Sequence, residues 1–542
     1  MAIRTLVRSV LVGGVVGTVG LTTAWAGVSV LPLPTPRPPA VPGVGTPRVH
    51  DDAQGSETSS VPLVSNGILV GAAKASIAPR PKDMQKRFPG ARWETDPAEC
   101  TTLDPHELNR LLGGHATEPL DGLASAGSPW PENPDCIYMG GFGIGPMNPV
   151  KSYDTVDGLW VRSFAIGSGG QTLVITVVDG EGWLWDYKSK CTDCGAKQIS
   201  ESLAADPTLK ARGLTPASFV LHATHSHSAP DFIGGWGFVP NWYMAQVTDT
   251  IKATAKRAVL AMQPASVQVG EVEARQYNSE RRATYHAAEE QQISWLRAVS
   301  VKTHDTIATV GAYAAHPTTR GTNGGVASPD WIGPFEHRLE DRFGGIGLHL
   351  QTGLGNMSAS GGTGIGVKLA DLIPTRGRTV AGALRLTRTT ITSPITNVPL
   401  DALGTPGFFD RKFNAFPAAV SVGENPNAPC VSASPQSVDL PLTVAKLGDD
   451  AVFTFAPGEV FSNLTNTIKE KNTEQVVFPI AQANDALGYM PQSFEMNPVG
   501  QQGLGFAFSG YVFVNYEDSY AIDRCLGDLV METTLSQLSA LK

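Results

Sequence analysis

Beyond Leu31 the chain contains no apolar run long enough to cross a bilayer, so whatever follows should be soluble. A basic excess is also missing. Lys and Arg number 41 against 50 Asp and Glu, a formal net charge of −9, and this leaves no electrostatic footprint for nucleic acid. Charged residues make up only 17% of the 542 positions while 42% are hydrophobic, which excludes a disordered chain and implies a large core. No internal repeat is visible, and no linker-like stretch interrupts the chain after Asn66. Cysteine is sparse: Cys100, Cys136, Cys191, Cys194, Cys430 and Cys525 form an even set. Cys191-Thr192-Asp193-Cys194 lacks the second Cys pair of a structural zinc site, so a small loop disulfide is the preferred reading. Glycine and proline are plentiful, at 58 and 40, and predict many turns and long loops.

The N-terminus reads as an export signal. Arg4 and Arg8 precede an apolar stretch from Ser9 to Thr23, and Ala24-Trp25-Ala26 fits a small-x-small cleavage site. Extended to Leu31, the same stretch approaches a minimal span, which makes an uncleaved anchor the alternative. Either way the mature chain is expected outside the cytoplasm, secreted or at the cell surface or periplasm, where an even cysteine set pairs as disulfides. Residues 1–26 are thus the signal and 27–65 a Pro-rich, disordered linker, built on Leu31 to Arg48 and the polar residues that follow. Residues 66–542 are expected to form one large domain.

Within that domain the pattern mixes strands and helices. Gly67 to Ala72, Leu173 to Val178, Ala217 to Thr224, Thr306 to Ala315 and Val452 to Phe455 read as strands. Gln246 to Met262 and Leu526 to Leu541 carry apolar residues at helical spacing. The fold class is therefore α/β, with mixed sheets flanked by helices and a site at strand ends.

The most informative segment is Phe219-Val220-Leu221-His222-Ala223-Thr224-His225-Ser226-His227-Ser228-Ala229-Pro230. On a continuous strand, residues two apart share a face, so His225 and His227 are expected to point at one spot. Paired imidazoles at a strand end start a metal site or an acid/base centre. Other apolar strands also end in polar residues: one at His316-Pro317-Thr318, one at Pro457-Gly458-Glu459, and one leading through Asn484-Asp485 to Gly488-Tyr489.

Taken in order, these landmarks resemble the neutral/alkaline, non-lysosomal ceramidases. Thr224-His225-Ser226-His227-Ser228-Ala229-Pro230 resembles their T-H-T-H-S-G/A-P motif, and Val70-Gly71-Ala72-Ala73-Lys74-Ala75-Ser76-Ile77 their opening strand. Met139-Gly140-Gly141, Leu159 to Phe164, His316-Pro317-Thr318-Thr319, Pro457-Gly458-Glu459 and Gly488-Tyr489 follow in the same order. The resemblance spans roughly Gly67 to Asp523. It implies that His225, His316, Glu459 and Tyr489 bind Zn2+ and that His227 is the neighbouring acid/base. The family's G-D-V-S-P-N corresponds to Gly355-Asn356-Met357-Ser358-Ala359-Ser360, where only Gly and Ser match. Ser358 aligns with the serine assigned there as nucleophile, but Asn356 replaces the acid, and a neutral amide is no base. Arg282, with a register uncertain by one residue, and Tyr516 are the nearest matches to the arginine and tyrosine that line the family's pocket as oxyanion stabilisers.

The resemblance implies an exported zinc-dependent amidohydrolase that cleaves the N-acyl bond of ceramide or a related lipid amide, releasing a fatty acid and a sphingoid base. Its partners would be that lipid amide and the membrane surface presenting it, with no nucleic acid. The alternatives are a zinc hydrolase of a different N-acyl amide or ester, and a non-catalytic surface-binding protein on the same scaffold. Plainer readings stand beside the sharp ones. Glu459 after Pro-Gly is suited to capping a helix from Val460 to Lys471, and His222 to a hydrogen-bonded place in the core. His304, His337 and His349 read as structural or exposed. Gly361 to Gly366 lacks the lysine pattern of a phosphate loop and reads as a flexible loop.

Overall fold

The computed structural model describes residues 66–100, 133–142, 145–282, 288–397, 410–423, 427–496 and 516–541. The expected signal and linker lie outside them.

Nine strands of the described residues form the first sheet. They are β1 (Leu69–Ser76), β2 (Trp160–Ser168), β3 (Gln171–Val178), β4 (Phe219–Ala223), β5 (Gln263–Glu273), β6 (Gln292–Ser300), β7 (Thr306–Tyr313), β8 (Ile346–Gln351) and β9 (Arg378–Thr379). Their spatial order is β8-β7-β6-β5-β1-β2-β3-β4, with β9 beside β5. The sheet is mixed: β4 runs parallel to β3 and β8 parallel to β7, while the remaining pairs are antiparallel. A second sheet orders β10 (Leu384–Pro394), β11 (Ser437–Leu447), β12 (Ala451–Phe455) and β13 (Val476–Ile480) side by side.

The alternation within β3 shows how the layers stack. Leu173, Ile175 and Val177 enter a core shared with Phe453, Phe455 and Phe478 of the second sheet. Val174 and Val178 enter a different core with Ile251, Ala255 and Ala258 of the helix Asn241–Leu260. Both faces of the strand are covered, and for that reason its sequence is a continuous apolar run rather than an alternating one. The helix sits so close to β1 that a Cβ on Gly71 would lie 2.2 Å from the Ala258 carbonyl oxygen. On the far side of the second sheet, Leu440, Leu442 and Val452 pack on Leu464 of the helix Ser462–Glu470 and on Val530 and Leu538 of the helix Leu526–Ala540. The result is the mixed α/β arrangement expected from sequence, with helices outside and two sheets between them.

Three disulfides tie the described chain: Cys100–Cys136, Cys191–Cys194 and Cys430–Cys525. No helix among the described residues is long and apolar enough to cross a membrane.

Two boundary expectations need correction because they bear on the site. The strand expected to reach Thr224 ends at Ala223. The helix expected from Val460 begins instead at Ser462, after a two-residue strand, Glu459–Val460, that pairs with Tyr489–Met490. Glu459 therefore stands ahead of the helix, in the paired segment, and its carboxylate has other partners.

Candidate metal centre

The first two histidines converge, but not by the pleat of a strand. After Ala223 the chain leaves the sheet, and His225 adopts φ 61°, the left-handed region uncommon for a non-glycine residue. This turn brings the His225 and His227 rings edge to face, with centroids 5.0 Å apart. The loop is pinned on both sides of the pair. The Ser226 hydroxyl donates to the Ser328 carbonyl at 2.8 Å, and the His227 amide donates to the Pro317 carbonyl at 3.2 Å. The second bond draws the segment that carries His316 alongside.

His316 follows the end of β7, its amide donating to the Met357 carbonyl at 2.9 Å. Its ring centroid lies 5.2 Å from that of His225 and 5.7 Å from that of His227. Ligating nitrogens of the three histidines all fall within 4.8 Å of one another. Glu459 completes the group: its Oε2 is 3.0 Å from His316 Nε2 and 3.4 Å from His225 Nε2. His227 Nε2 is in turn 3.4 Å from His225 Nε2. His225, His316 and Glu459 are buried.

This set fits a divalent metal by its hydrogen bonding. His225 Nδ1 faces the Glu181 carbonyl at 2.7 Å, and His316 Nδ1 faces the Met357 carbonyl at 3.1 Å. A carbonyl only accepts, so each Nδ1 keeps its proton and each Nε2 turns a lone pair inward, the tautomer that metal-bound histidines use. Lone pairs and a carboxylate crowded this closely repel unless a positive charge lies among them. The proton affinities show the same demand. Burial pulls the His225 imidazole down, but the Glu459 carboxylate and its hydrogen bond outweigh burial and raise the pKa to about 9. Burial, aided by the Arg281 charge, lowers His316 to about 4. His227 is pushed well below its usual value by burial and by its two histidine neighbours. Burial opposes ionisation of Glu459, yet the histidines hold it well below the ordinary carboxyl range. A cation in place of the His225 proton would leave two neutral imidazoles and a carboxylate, which are suitable zinc donors. His227, whose Nε2 faces that of His225, is a further donor or proton carrier at the same point, and its Nδ1 is buried on the other side of the ring against Gly141.

Tyr489 lies directly opposite Glu459 in the short parallel pair, with its ring 6.4 Å from His316. Its hydroxyl meets Arg281 at 2.9 Å, and Arg281 also donates to the Gly355 carbonyl at 2.9 Å and pairs with Glu517 at 3.0 Å. Arg281 lines the cavity described below. Arg282 does not reach it: its guanidinium is buried against Asp518 at 2.9 Å and the Glu495 carbonyl at 3.0 Å. Of the two registers that the sequence left open, the one with Arg281 brings an arginine to the cavity, since adjacent residues on an extended segment face opposite ways.

Ser358 is bridged through its backbone to His316, and it is not among the described residues that line the cavity. Asn356 is buried. Its side-chain oxygen accepts from the Ser462 amide at 2.8 Å, and its nitrogen donates to the Ala288 carbonyl at 2.8 Å. Tyr516 opens the turn Tyr516–Tyr520, and its side chain lies outside the described residues. His222 is a core histidine, with Nδ1 facing the Ala481 carbonyl at 3.0 Å and Nε2 accepting from the Gln351 amide at 3.2 Å.

A cavity of about 620 Å³ opens on the cluster. His225, His227, Glu459 and Tyr489 form one part of its wall, and Phe142, Leu184, Ile233, Trp236, Phe413, Leu487 and Ile522 supply apolar surface elsewhere. Its size is that of a small-molecule site, and a mostly apolar lining around a few polar groups is the usual composition of one. Glu181 also lines it. Sequence reading did not single out that residue; the signal was an acid three positions beyond a strand that ends beside β4.

No protein-family model matches the chain, and no curated protein does. Solved structures do. A mixed α/β fold with this layering is shared with neutral ceramidase from Pseudomonas aeruginosa, at a TM-score of 0.55 and 15% identity over 88% of this chain and 74% of that one. A second structure, ceramidase complexed with C2, gives a TM-score of 0.53 at 15% identity, covering 88% and 76% of the two chains. The protein has the ceramidase fold.

Proposed function

We propose that the protein is a zinc-dependent hydrolase of N-acyl lipids, of the ceramidase type. The observation that carries the reading is the convergence of His225, His316 and Glu459, three donors from distant parts of the chain, on one buried point that opens into an apolar cavity. The fold shared with two ceramidase structures supports it. His225, His316, Glu459 and Tyr489 would hold the ion. Zinc, when bound, supplies a Lewis acid for the acyl carbonyl and lowers the pKa of water towards 7.

The remaining steps belong to the protein's own side chains. Apolar groups such as Ile233, Leu487 and Ile522 bind the acyl chain and exclude water from it. Arg281 brings its charge to the cluster beside Tyr489 and steadies negative charge that develops on the carbonyl oxygen, with Tyr516 as a second donor. Arg282 supports this from behind by fixing the Tyr516–Tyr520 turn through Asp518. His227, neutral and next to His225, takes the proton of the attacking water and returns it to the departing amine. Ser358, held by its backbone to His316, supports that ligand instead of attacking the substrate. The three disulfides favour an oxidising compartment and accord with export.

Asn356 favours a second reading on substrate choice: a different N-acyl amide or an ester. An amide stands where the resemblance calls for an acid, and it is committed to backbone groups. The deciding experiment is turnover of a panel of ceramide, simpler N-acyl amides and acyl esters by the purified, zinc-loaded protein. Cleavage of ceramide supports the first reading. Ceramide left intact while the others are cleaved selects the second, and no cleavage of any favours a binding role.

A further inference from the structure

We infer that Glu181 is a positioning residue of the metal centre, acting through the Nδ1 proton of His225; the inference rests on the metal-centre reading above. Two oxygens of Glu181 stand by that one nitrogen, the carbonyl as hydrogen-bond acceptor and one carboxyl oxygen as an ionic neighbour. The carbonyl oxygen lies 2.7 Å from Nδ1 and carboxyl Oε1 lies 3.6 Å away. A metal-bound histidine is oriented, and made a stronger donor, by the acceptor that holds its other ring nitrogen. His225 needs such a hold more than most, because its own backbone sits at φ 61° and the turn alone does not fix the ring.

The local sequence is arranged around this acid. Glu181 is 3% exposed, and its Oε2 is buried with no hydrogen-bond partner among the described residues. A buried carboxyl oxygen left without a partner costs stability and calls for a reason. Gly140 leaves the space that its side chain fills, and the flanking Gly180 and Gly182 let its loop pack closely on other residues. A Cβ on Gly140 would fall 2.4 Å from Glu181 Cγ, and one on Gly180 would fall 2.6 Å from Phe232, which packs under the same loop. Gly182, on its other side, would meet Ala486 at 2.8 Å. The Glu181 amide is tied to the Pro230 carbonyl at 3.2 Å, which fastens its loop to the end of the histidine segment. The chain thus makes room for a long acid at a place where an apolar residue would be less costly, and aims it at a ligand.

Two variants test this. Glu181→Gln keeps the shape and replaces the carboxyl by an amide. Gly140→Ala keeps the acid and displaces it, so misfolding of one variant leaves the other to decide. Zinc affinity is measured by competition with a chromophoric chelator, and the visible spectrum of the cobalt(II)-loaded protein reports on the ligands. The expected result is a roughly 10- to 100-fold weaker zinc Kd in both folded variants, with a shifted cobalt spectrum and circular dichroism like that of the parent. Unchanged zinc affinity and spectrum would overturn the inference, and a raised KM alongside them would assign Glu181 to substrate instead. A parent protein that binds neither ion would overturn the metal-centre reading itself.

Discussion

Glu459 and Tyr489 face each other in a parallel pair only two residues long, and the same Glu459 oxygen lies 3.0 Å from His316 Nε2. The helix Ser462–Glu470 and strand β13 lie between them in sequence. Their intervening chain leaves the site and returns to it, so the site is a property of the folded sheet edge and not of any one motif.

Arg281 and Arg282 both hold a buried acid, but only Arg281 lines the cavity. Arg282→Ala leaves Asp518, which is 0% exposed, without its cation, and breaking such a pair costs about 3–5 kcal/mol. Urea unfolding should show that loss. Arg281→Met takes the cation from Glu517, which is 2% exposed, and should destabilise as well, but it should also lower kcat/KM by roughly 10²- to 10³-fold, the range for removing one oxyanion donor. An equal fall of kcat/KM in the two folded variants would contradict the division.

The contrast also marks what the sequence could and could not disclose. Continuous runs such as Leu173 to Val178 and spaced apolar positions such as Ile251, Ala255 and Ala258 gave away the layers, since burial on two faces or one leaves a direct mark in residue type. His225, His316 and Glu459 were legible because each follows a strand. The reason given for the His225–His227 pair was mistaken: the strand stops at Ala223, and a left-handed residue does what the pleat was expected to do. Local conformation of that kind leaves no periodic signal. Nor does the single-position choice between Arg281 and Arg282, which depends on which way an irregular segment faces, nor Glu181, whose role is set by a ring nitrogen from another loop.

Asn356 is held as an amide. Its nitrogen donates to the Ala288 carbonyl at 2.8 Å and lies 3.4 Å from Glu280 Oε1. Asn356→Asp would set a carboxylate against both acceptors, and the lost donor should destabilise the protein by about 1–3 kcal/mol in denaturant titration. Unchanged or increased stability would show that the position tolerates the acid that the resemblance calls for.

Ser358→Ala is expected to keep full zinc content and most of its turnover, because Ser358 contributes its backbone to the His316 bridge and its side chain is not part of the described cavity wall. Steady-state kinetics on the zinc-loaded variant decide the matter. An inactive variant that still holds zinc would make Ser358 the nucleophile.

The central claim is that one buried cluster binds one metal ion, and elemental analysis of the dialysed protein tests it most directly. The parent should carry about one zinc per chain, and His225→Ala, His316→Ala and Glu459→Gln should each lose it while keeping native circular dichroism. A parent protein without zinc, or variants that retain it at full stoichiometry, would contradict the account.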